Sequence, residues 1–234
     1  MKIFNWNVYC DITEEKYAHL KTFNSDIYIL DECLYSSFDK IKSDWNYSLF
    51  YSDTLYKEDK AGYGIAILSN NFKINFTPVF NRNYRYIIPL EITQDDYKFY
   101  LFVVWTKAVP LKYSQNVLEA LCFPAYQEYL SDGAIFLGDF NTPTTKDNTK
   151  YYDNIVKRGL TNCASKIDIL KPTYSHSKDI QFYTADYCFA TKSLLKYFSI
   201  KETILDFDIN IESKLKYRNL SDHVPLLIDI QLLK

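Results

Sequence analysis

Apolar and polar positions divide this chain into short runs bounded by turn residues. Residues 134–137, Ala-Ile-Phe-Leu, lie between Asp132-Gly133 and Asn141-Thr142-Pro143; the run is too short for a core helix and fits a strand covered on both faces. It ends abruptly in Gly138-Asp139-Phe140-Asn141. Asp139 and Asn141 are two apart, so if strand geometry persists their side chains share a face, at the carboxyl end of a central strand. Leu220-Ser221-Asp222-His223-Val224-Pro225, leading into the apolar run 226–230, has the opposite order, polar residues first and strand after. The pattern predicts that these two strand ends meet.

The remaining pattern predicts a strand over 3–8 with Asn5 and Asn7 at alternate positions, a helix over 14–23 capped by Thr13, and a strand over 26–30 ending in Asp31-Glu32. Residues 45–51, 64–68, 72–80, 86–92 and 99–105 are rich in β-formers and separated by turn-like clusters, which reads as an antiparallel meander. Helical spacing over 114–129 is interrupted by Pro124, so two segments are expected. A short helix over 151–158 should stop at Gly159, and strands are expected over 182–190, 197–207 and 225–232. With no internal repeat or linker, residues 1–234 are expected to form one α+β domain, two sheets packed face to face with helices outside.

Composition changes this picture little. Hydrophobic content of 47% and charged content of 24% are ordinary, and the 18% aromatic residues, mostly 22 Tyr and 16 Phe, carry little functional weight in a chain whose Asn, Lys and Ile richness fits an AT-rich coding sequence. A net charge of −2 argues against binding nucleic acid by bulk charge, though it leaves room for a local basic groove. The five cysteines form no C-x-x-C pair and suit buried free thiols in a reducing compartment. No apolar leader or membrane-length run is present, so a cytoplasmic protein without membrane attachment is expected.

Chemistry gathers at the strand ends. Asn7, Glu32, Asp139, Asn141, Asp186, Asp222 and His223 come from five separate strands and are rich in oxygen ligands. Such a set suits Mg²⁺ or Mn²⁺, while a lone His beside an Asp suits proton transfer or stabilisation of developing charge. Together they point to metal-assisted phosphoester hydrolysis.

The ordered set Trp6-Asn7, Asp31-Glu32, Gly138-Asp139-Phe140-Asn141, Asp186-Tyr187-Cys188-Phe189 and Ser221-Asp222-His223-Val224-Pro225 resembles the endonuclease/exonuclease/phosphatase, or DNase-like, superfamily. The resemblance implies a four-layered α/β sandwich and a divalent metal. It further implies that Glu32 binds the metal with Asn7 and Asp222 near it, and that Asp139 orients or deprotonates the attacking water. Asn141 would hold the scissile phosphate; His223 would bind a non-bridging oxygen or aid proton transfer, its tautomer fixed by Asp186. Two positions depart from the commonest pattern. Lys107, in Val103-Val104-Trp105-Thr106-Lys107, stands where many members have a strand-end histidine and would contact phosphate as a fixed cation; the Trp-Thr-Lys triplet looks like a bacterial subgroup. Tyr9 stands where some members carry an aspartate.

Each motif also has a plainer reading. Asp139-Phe140-Asn141 suits an Asx turn, Asp186 a satisfied buried acid, Glu32 a surface residue and Lys107 a solvated strand-end charge. Arg85, with Arg82, Tyr84 and Tyr86, is a candidate substrate-binding residue, or else a long side chain on an exposed strand. The function expected first is a metal-dependent nuclease or phosphodiesterase with a nucleic-acid substrate, favoured by a compact chain and by Lys107, Lys112, Lys146, Lys150 and Lys178 near strand exits. A phosphatase of a small phosphorylated molecule and a silent binding module on the same scaffold are the alternatives, and retention of the full polar set argues against the latter.

Overall fold

The computed structural model describes residues 1–52, 62–94, 96–107, 113–144, 149–164, 172–175, 182–205 and 220–233. Its first sheet contains β1 (Lys2–Cys10), β2 (Ile27–Leu34), β3 (Tyr47–Tyr51), β4 (Tyr63–Ser69), β12 (Phe198–Ile204) and β13 (Leu226–Leu232), in the order β12-β13-β1-β2-β4-β3. The second contains β5 (Asn75–Phe76), β6 (Ile87–Gln94), β7 (Tyr97–Trp105), β8 (Ala134–Thr144), β10 (Tyr174–Ser175) and β11 (Phe182–Thr191), in the order β10-β11-β8-β7-β6-β5, with β9 (Leu160–Asn162) paired to β11. Pairing is antiparallel except for β1 with β2 and β7 with β8. Each parallel pair needs a crossover. Helix α1 (Glu14–Lys21) supplies the first; α3 (Ser114–Cys122) and α4 (Gln127–Asp132) supply the second.

Alternation along the strands builds the layers. Ile3, Ile29, Ile67, Leu101, Val103, Ile135, Leu137 and Ile228 point between the sheets into one core. Phe4, Trp6, Tyr28 and Leu30 point the other way, onto Leu20 of α1 and Phe38 and Ile41 of α2 (Tyr35–Ile41). Tyr100, Phe102 and Phe136 pack on Val117, Ala120 and Tyr129 of α3 and α4 and on Ile155 of α5 (Lys150–Lys157). The result is a four-layered α/β sandwich, as expected. The continuous apolar run of β8 is explained by burial on both faces.

Several elements differ from the sequence expectation. The middle section is not one meander: β3 and β4 belong to the first sheet, whereas β5, β6 and β7 form a short meander in the second. The strand expected over 72–80 shrinks to Asn75–Phe76, because Pro78 has no N–H to extend the ladder. Helix α2, unannounced by the sequence reading, follows β2 directly and carries no side-chain cap. Thr13 does cap α1, accepting from Lys16 N at 3.3 Å, and the helix expected over 114–129 breaks at Phe123-Pro124. Only Cys33 and Cys188 of the five free cysteines are buried, and Cys122 is exposed. Lys112, Lys146, Lys178 and Phe207 lie outside the described residues. Among the described residues no helix is long and apolar enough to cross a membrane.

Gly138 lets β8 lie against β7. Its φ is +141°, and a Cβ there would come within 2.0 Å of the Val104 carbonyl oxygen. Gly138→Ala is therefore expected to cost about 3 kcal/mol or more in urea unfolding. Gly159→Ala, at φ +98° with open space around it, should cost about 1–2 kcal/mol. Equal costs at the two positions would show that close strand approach is not what Gly138 provides.

Candidate active site

The parallel pairs bring the carboxyl ends of β1, β2, β7 and β8 to one edge of the sandwich. Asp139 lies on β8 with Trp105 of β7 as its parallel partner and Asp186 of β11 as its antiparallel partner. The Asp139 carboxylate is fully buried, yet well supplied with donors. Oδ1 accepts from Asn141 N at 2.7 Å, and Oδ2 accepts from Asn141 Nδ2 at 2.9 Å and from Asn7 Nδ2 at 3.0 Å. The Asn7 bond crosses from one sheet to the other. Burial raises the Asp139 pKa above the ordinary carboxylate value, against the opposing charge of His223, and the Asp186 charge adds to the rise.

Backbone irregularities aim the remaining groups. The β1–β2 register shifts after Asn7, and the β2–β4 register shifts between Leu30 and Cys33. Within these shifts Glu32 has φ +53°, and its carboxylate accepts from Asn7 Nδ2 at 3.3 Å. Asp31 instead points into the interior, where Asn5 Nδ2 donates to it at 2.7 Å and burial raises its pKa. Asn141 has φ +45°, and its Nδ2 also donates to Thr106 O at 3.1 Å. Both amide hydrogens are thereby engaged, one on Asp139 and one on the end of β7.

The segment before β13 docks onto β1 and β11. Ser221 Oγ donates to Asn7 O at 2.6 Å and accepts from His223 N at 3.1 Å, while Trp6 Nε1 donates to His223 O at 3.0 Å. Thr173 fixes the far side, accepting at Oγ1 from Asp186 N and at its carbonyl from Val224 N. His223 Nδ1 stands 2.9 Å from Asp186 Oδ2, and Nε2 stands 3.9 Å from Asp139 Oδ2. Burial alone disfavours the imidazolium, but the Asp186 and Asp139 carboxylates outweigh it, so the His223 pKa lies above the ordinary histidine value.

A cleft of about 360 Å³ opens over these groups, lined by Asn7, Tyr9, Glu32, Tyr113, Asn141, Tyr174, Ala185, Asp222 and His223. Asp139 and Asp186 are buried at its base. Lys107 and Arg85 are not among the lining residues. The Lys107 ammonium sits 3.1 Å from the centroid of the Trp105 ring, and Arg85 is 1% exposed with its guanidinium carbon 5.8 Å from the Tyr86 ring, so Arg85 is not the exposed strand residue of the plainer reading.

The donor set fits a hard cation. Glu32, Asp139, Asp186 and Asp222 place four carboxylates around a single imidazole, and Asp222 Oδ1 is buried without a hydrogen-bond partner. Glu32 and Asp222 line the cleft. Asn7 turns its nitrogen to Glu32 and Asp139, while its Oδ1 accepts from Tyr9 N at 3.0 Å, which suits aligning Glu32 better than direct ligation. Ligand atoms of Asp139, Asp186 and His223 also lie within 4.8 Å of one another, but the Asp186–His223 separation is that of a hydrogen bond.

Sequence reasoning passed over three supports. Lys16, in the first turn of α1, is buried, and its ammonium donates to Val8 O at 2.5 Å and Asp11 O at 2.8 Å, bracing the positive-φ turn at Tyr9 and Cys10. Thr173 has no motif to announce it. Tyr174 lies with its ring 4.7 Å from that of His223.

No protein-family model and no curated protein matches the sequence. Solved structures do match. An endonuclease/exonuclease/phosphatase family protein from Leptotrichia buccalis C-1013-b superposes with a TM-score of 0.67 at 17% identity, over 99% of each chain. The endonuclease domain of TRAS1, a telomere-specific non-LTR retrotransposon, gives 0.64 at 16% identity, over 100% of this chain and 99% of that one. A 3'-5' exonuclease from Neisseria meningitidis gives 0.59 at 15% identity, over 99% of this chain and 100% of that one. The chain therefore has the endonuclease/exonuclease/phosphatase fold along its whole length.

Ser221 joins the first strand to the last segment. Ser221→Ala leaves the Asn7 carbonyl and the His223 N–H without that partner and should lower unfolding stability by about 1–3 kcal/mol. A urea midpoint unchanged from the parent would show that the joint is held by packing alone.

Proposed function

We propose that the protein is a Mg²⁺- or Mn²⁺-dependent phosphoesterase, a nuclease or phosphodiesterase that hydrolyses phosphodiester bonds of DNA or RNA. The observation that carries this reading is the buried Asp139 carboxylate, held by Asn7 and Asn141 and faced by the His223–Asp186 pair, beneath a cleft with two further carboxylates. Glu32 and Asp222 would hold the cation, with Asn7 aligning Glu32. When bound, the cation supplies charge neutralisation at the phosphate oxygens.

The chain's own residues supply the rest. Asp139, made more basic by burial, accepts the proton of the attacking water as the water oxygen bonds to phosphorus; the ester P–O bond breaks on the opposite side and the leaving oxygen takes its proton from solvent water. Asn7 and Asn141 fix both carboxylate oxygens of Asp139, so its orientation needs no rearrangement during the reaction. Because both Asn141 hydrogens are engaged, this residue orients the base, and phosphate contact falls to His223. His223 acts as the imidazolium that its two carboxylate neighbours favour: Nδ1–H donates to Asp186, and Nε2–H donates to a non-bridging oxygen as charge develops. The full-length match to an endonuclease domain and an exonuclease supports polynucleotide substrates over small phosphates.

Hydrolysis of a panel of single-stranded DNA, duplex DNA, RNA and phosphomonoesters tests the reading. EDTA should abolish activity and Mg²⁺ or Mn²⁺ restore it, and Glu32→Gln should raise the metal concentration needed for half-maximal rate by at least about tenfold, since one anionic ligand is lost. Full activity in chelator would remove the metal from the account. Asp139→Asn, which keeps size but not basicity, should lower kcat by roughly 10²- to 10⁴-fold, with KM nearly unchanged. Thermal unfolding of the same variant separates a chemical loss from an unfolded one: a fall in activity matched by loss of the folded state would return Asp139 to a purely structural role.

A further inference from the structure

Two tyrosines at the cleft share a backbone conformation that is uncommon for a bulky residue. Among the described residues, Tyr9, Tyr35, Tyr47, Tyr113, Tyr151 and Tyr197 are exposed. Only Tyr9 and Tyr113 of these have a positive φ, each +46°, and both line the cleft. That conformation is costly for a bulky side chain, and strain of this kind collects at functional sites. Among the described residues seven non-glycine positions have positive φ, and four of them, Tyr9, Glu32, Tyr113 and Asn141, line this one cleft. Two of the four carry the polar groups discussed above; the other two hold aromatic rings, 55% and 41% exposed, at its rim.

The position of Tyr9 is fixed from below. Its N–H donates to Asn7 Oδ1, and Lys16 binds the carbonyl of Val8 on one side and that of Asp11 on the other. Tyr113 is tied by its N–H to Lys107 O at 2.9 Å, at the end of β7. The rings thus come from the exits of β1 and β7, one strand from each sheet, on a cleft whose base holds Asp139 and His223.

We propose that Tyr9 and Tyr113 are specificity-determining residues that stack on an unpaired nucleobase next to the phosphate. The inference rests on the phosphoesterase reading for the position of that phosphate. Aromatic π-faces stack on any base, so the device selects for a flat ring and not for sequence. Duplex DNA is disfavoured because its bases already stack on one another. An acyl chain is disfavoured because Ala185 is the only aliphatic residue among the described residues of the lining.

Calorimetric binding in Mg²⁺ of thymidine 5'-monophosphate and of 2-deoxyribose 5-phosphate tests this without turnover. The nucleotide should bind at least about tenfold more tightly. Tyr9→Ala and Tyr113→Ala should each reduce that ratio severalfold and leave sugar-phosphate affinity alone, while Tyr9→Phe and Tyr113→Phe should keep it. A single-stranded thymidine oligonucleotide should likewise outcompete its duplex. Equal affinity for the two small ligands, binding of neither at millimolar concentration, or an unchanged ratio in both Ala variants would overturn the proposal. Base discrimination that persists in a protein unable to hydrolyse any phosphoester would refute the phosphoesterase reading and leave this one standing; hydrolysis without discrimination would do the reverse.

Discussion

A carboxylate taken wholly out of water must be met by donors, and the way Asp139 is met organises the rest of the molecule. One donor belongs to its own strand, through Asn141, and another to the opposite sheet, through Asn7. Because Asn7 also reaches Glu32, a single amide couples the relative position of the two sheets to the spacing of two acids. A sliding of one sheet over the other by even one ångström would leave a buried charge short of a partner. The inter-sheet core of Ile, Leu and Val side chains supplies the cohesion, but apolar contact is non-directional and tolerates small slips. The polar bridge is what specifies one alignment among the many that the core would accept.

Charge balance accounts for a second feature. Four acids and one histidine at the cleft leave an excess of negative charge, and the groups respond in different ways. Asp139 and Asp222 have raised pKa values through burial, and His223 is pushed towards its charged form by its two carboxylate neighbours. A bound cation would relieve the same imbalance from the open side.

The sequence made the central motif legible for a simple reason: β8 is buried on both faces, so its apolar run is continuous and its polar end is conspicuous. Asp222-His223, pinned before the apolar run of β13, was legible in the same way. Glu32 was visible as a residue, but not its left-handed backbone, which depends on register shifts against two neighbouring strands. The role of Lys16 was not legible because a lysine in the first turn of a helix is ordinarily solvated, and only the tertiary path of β1 supplies the carbonyls that draw it inward. Thr173 and Tyr174 sit in a stretch with little periodicity. The apparent meander failed because β4 and β5 look alike to local pattern, while the chain passes from one sheet to the other between them. Tyr9 was noticed only as a missing aspartate, since its exposure and backbone conformation have no signature in the residues themselves.

The docking of residues 220–225 onto β1 has a consequence for the time at which the site comes into being. Trp6 bonds His223 across 217 positions of chain, and Ser221 bonds Asn7 across 214. Contacts this distant in sequence are slow to form and cannot form at all until the last strand has been synthesised. During translation β1 can acquire β2 as a neighbour but must wait for β13, and His223 is absent from the site until then. A growing chain on the ribosome, surrounded by RNA, therefore lacks one of the groups on which the proposed phosphoester chemistry depends, and acquires it only once residues 220–225 have emerged and docked on β1.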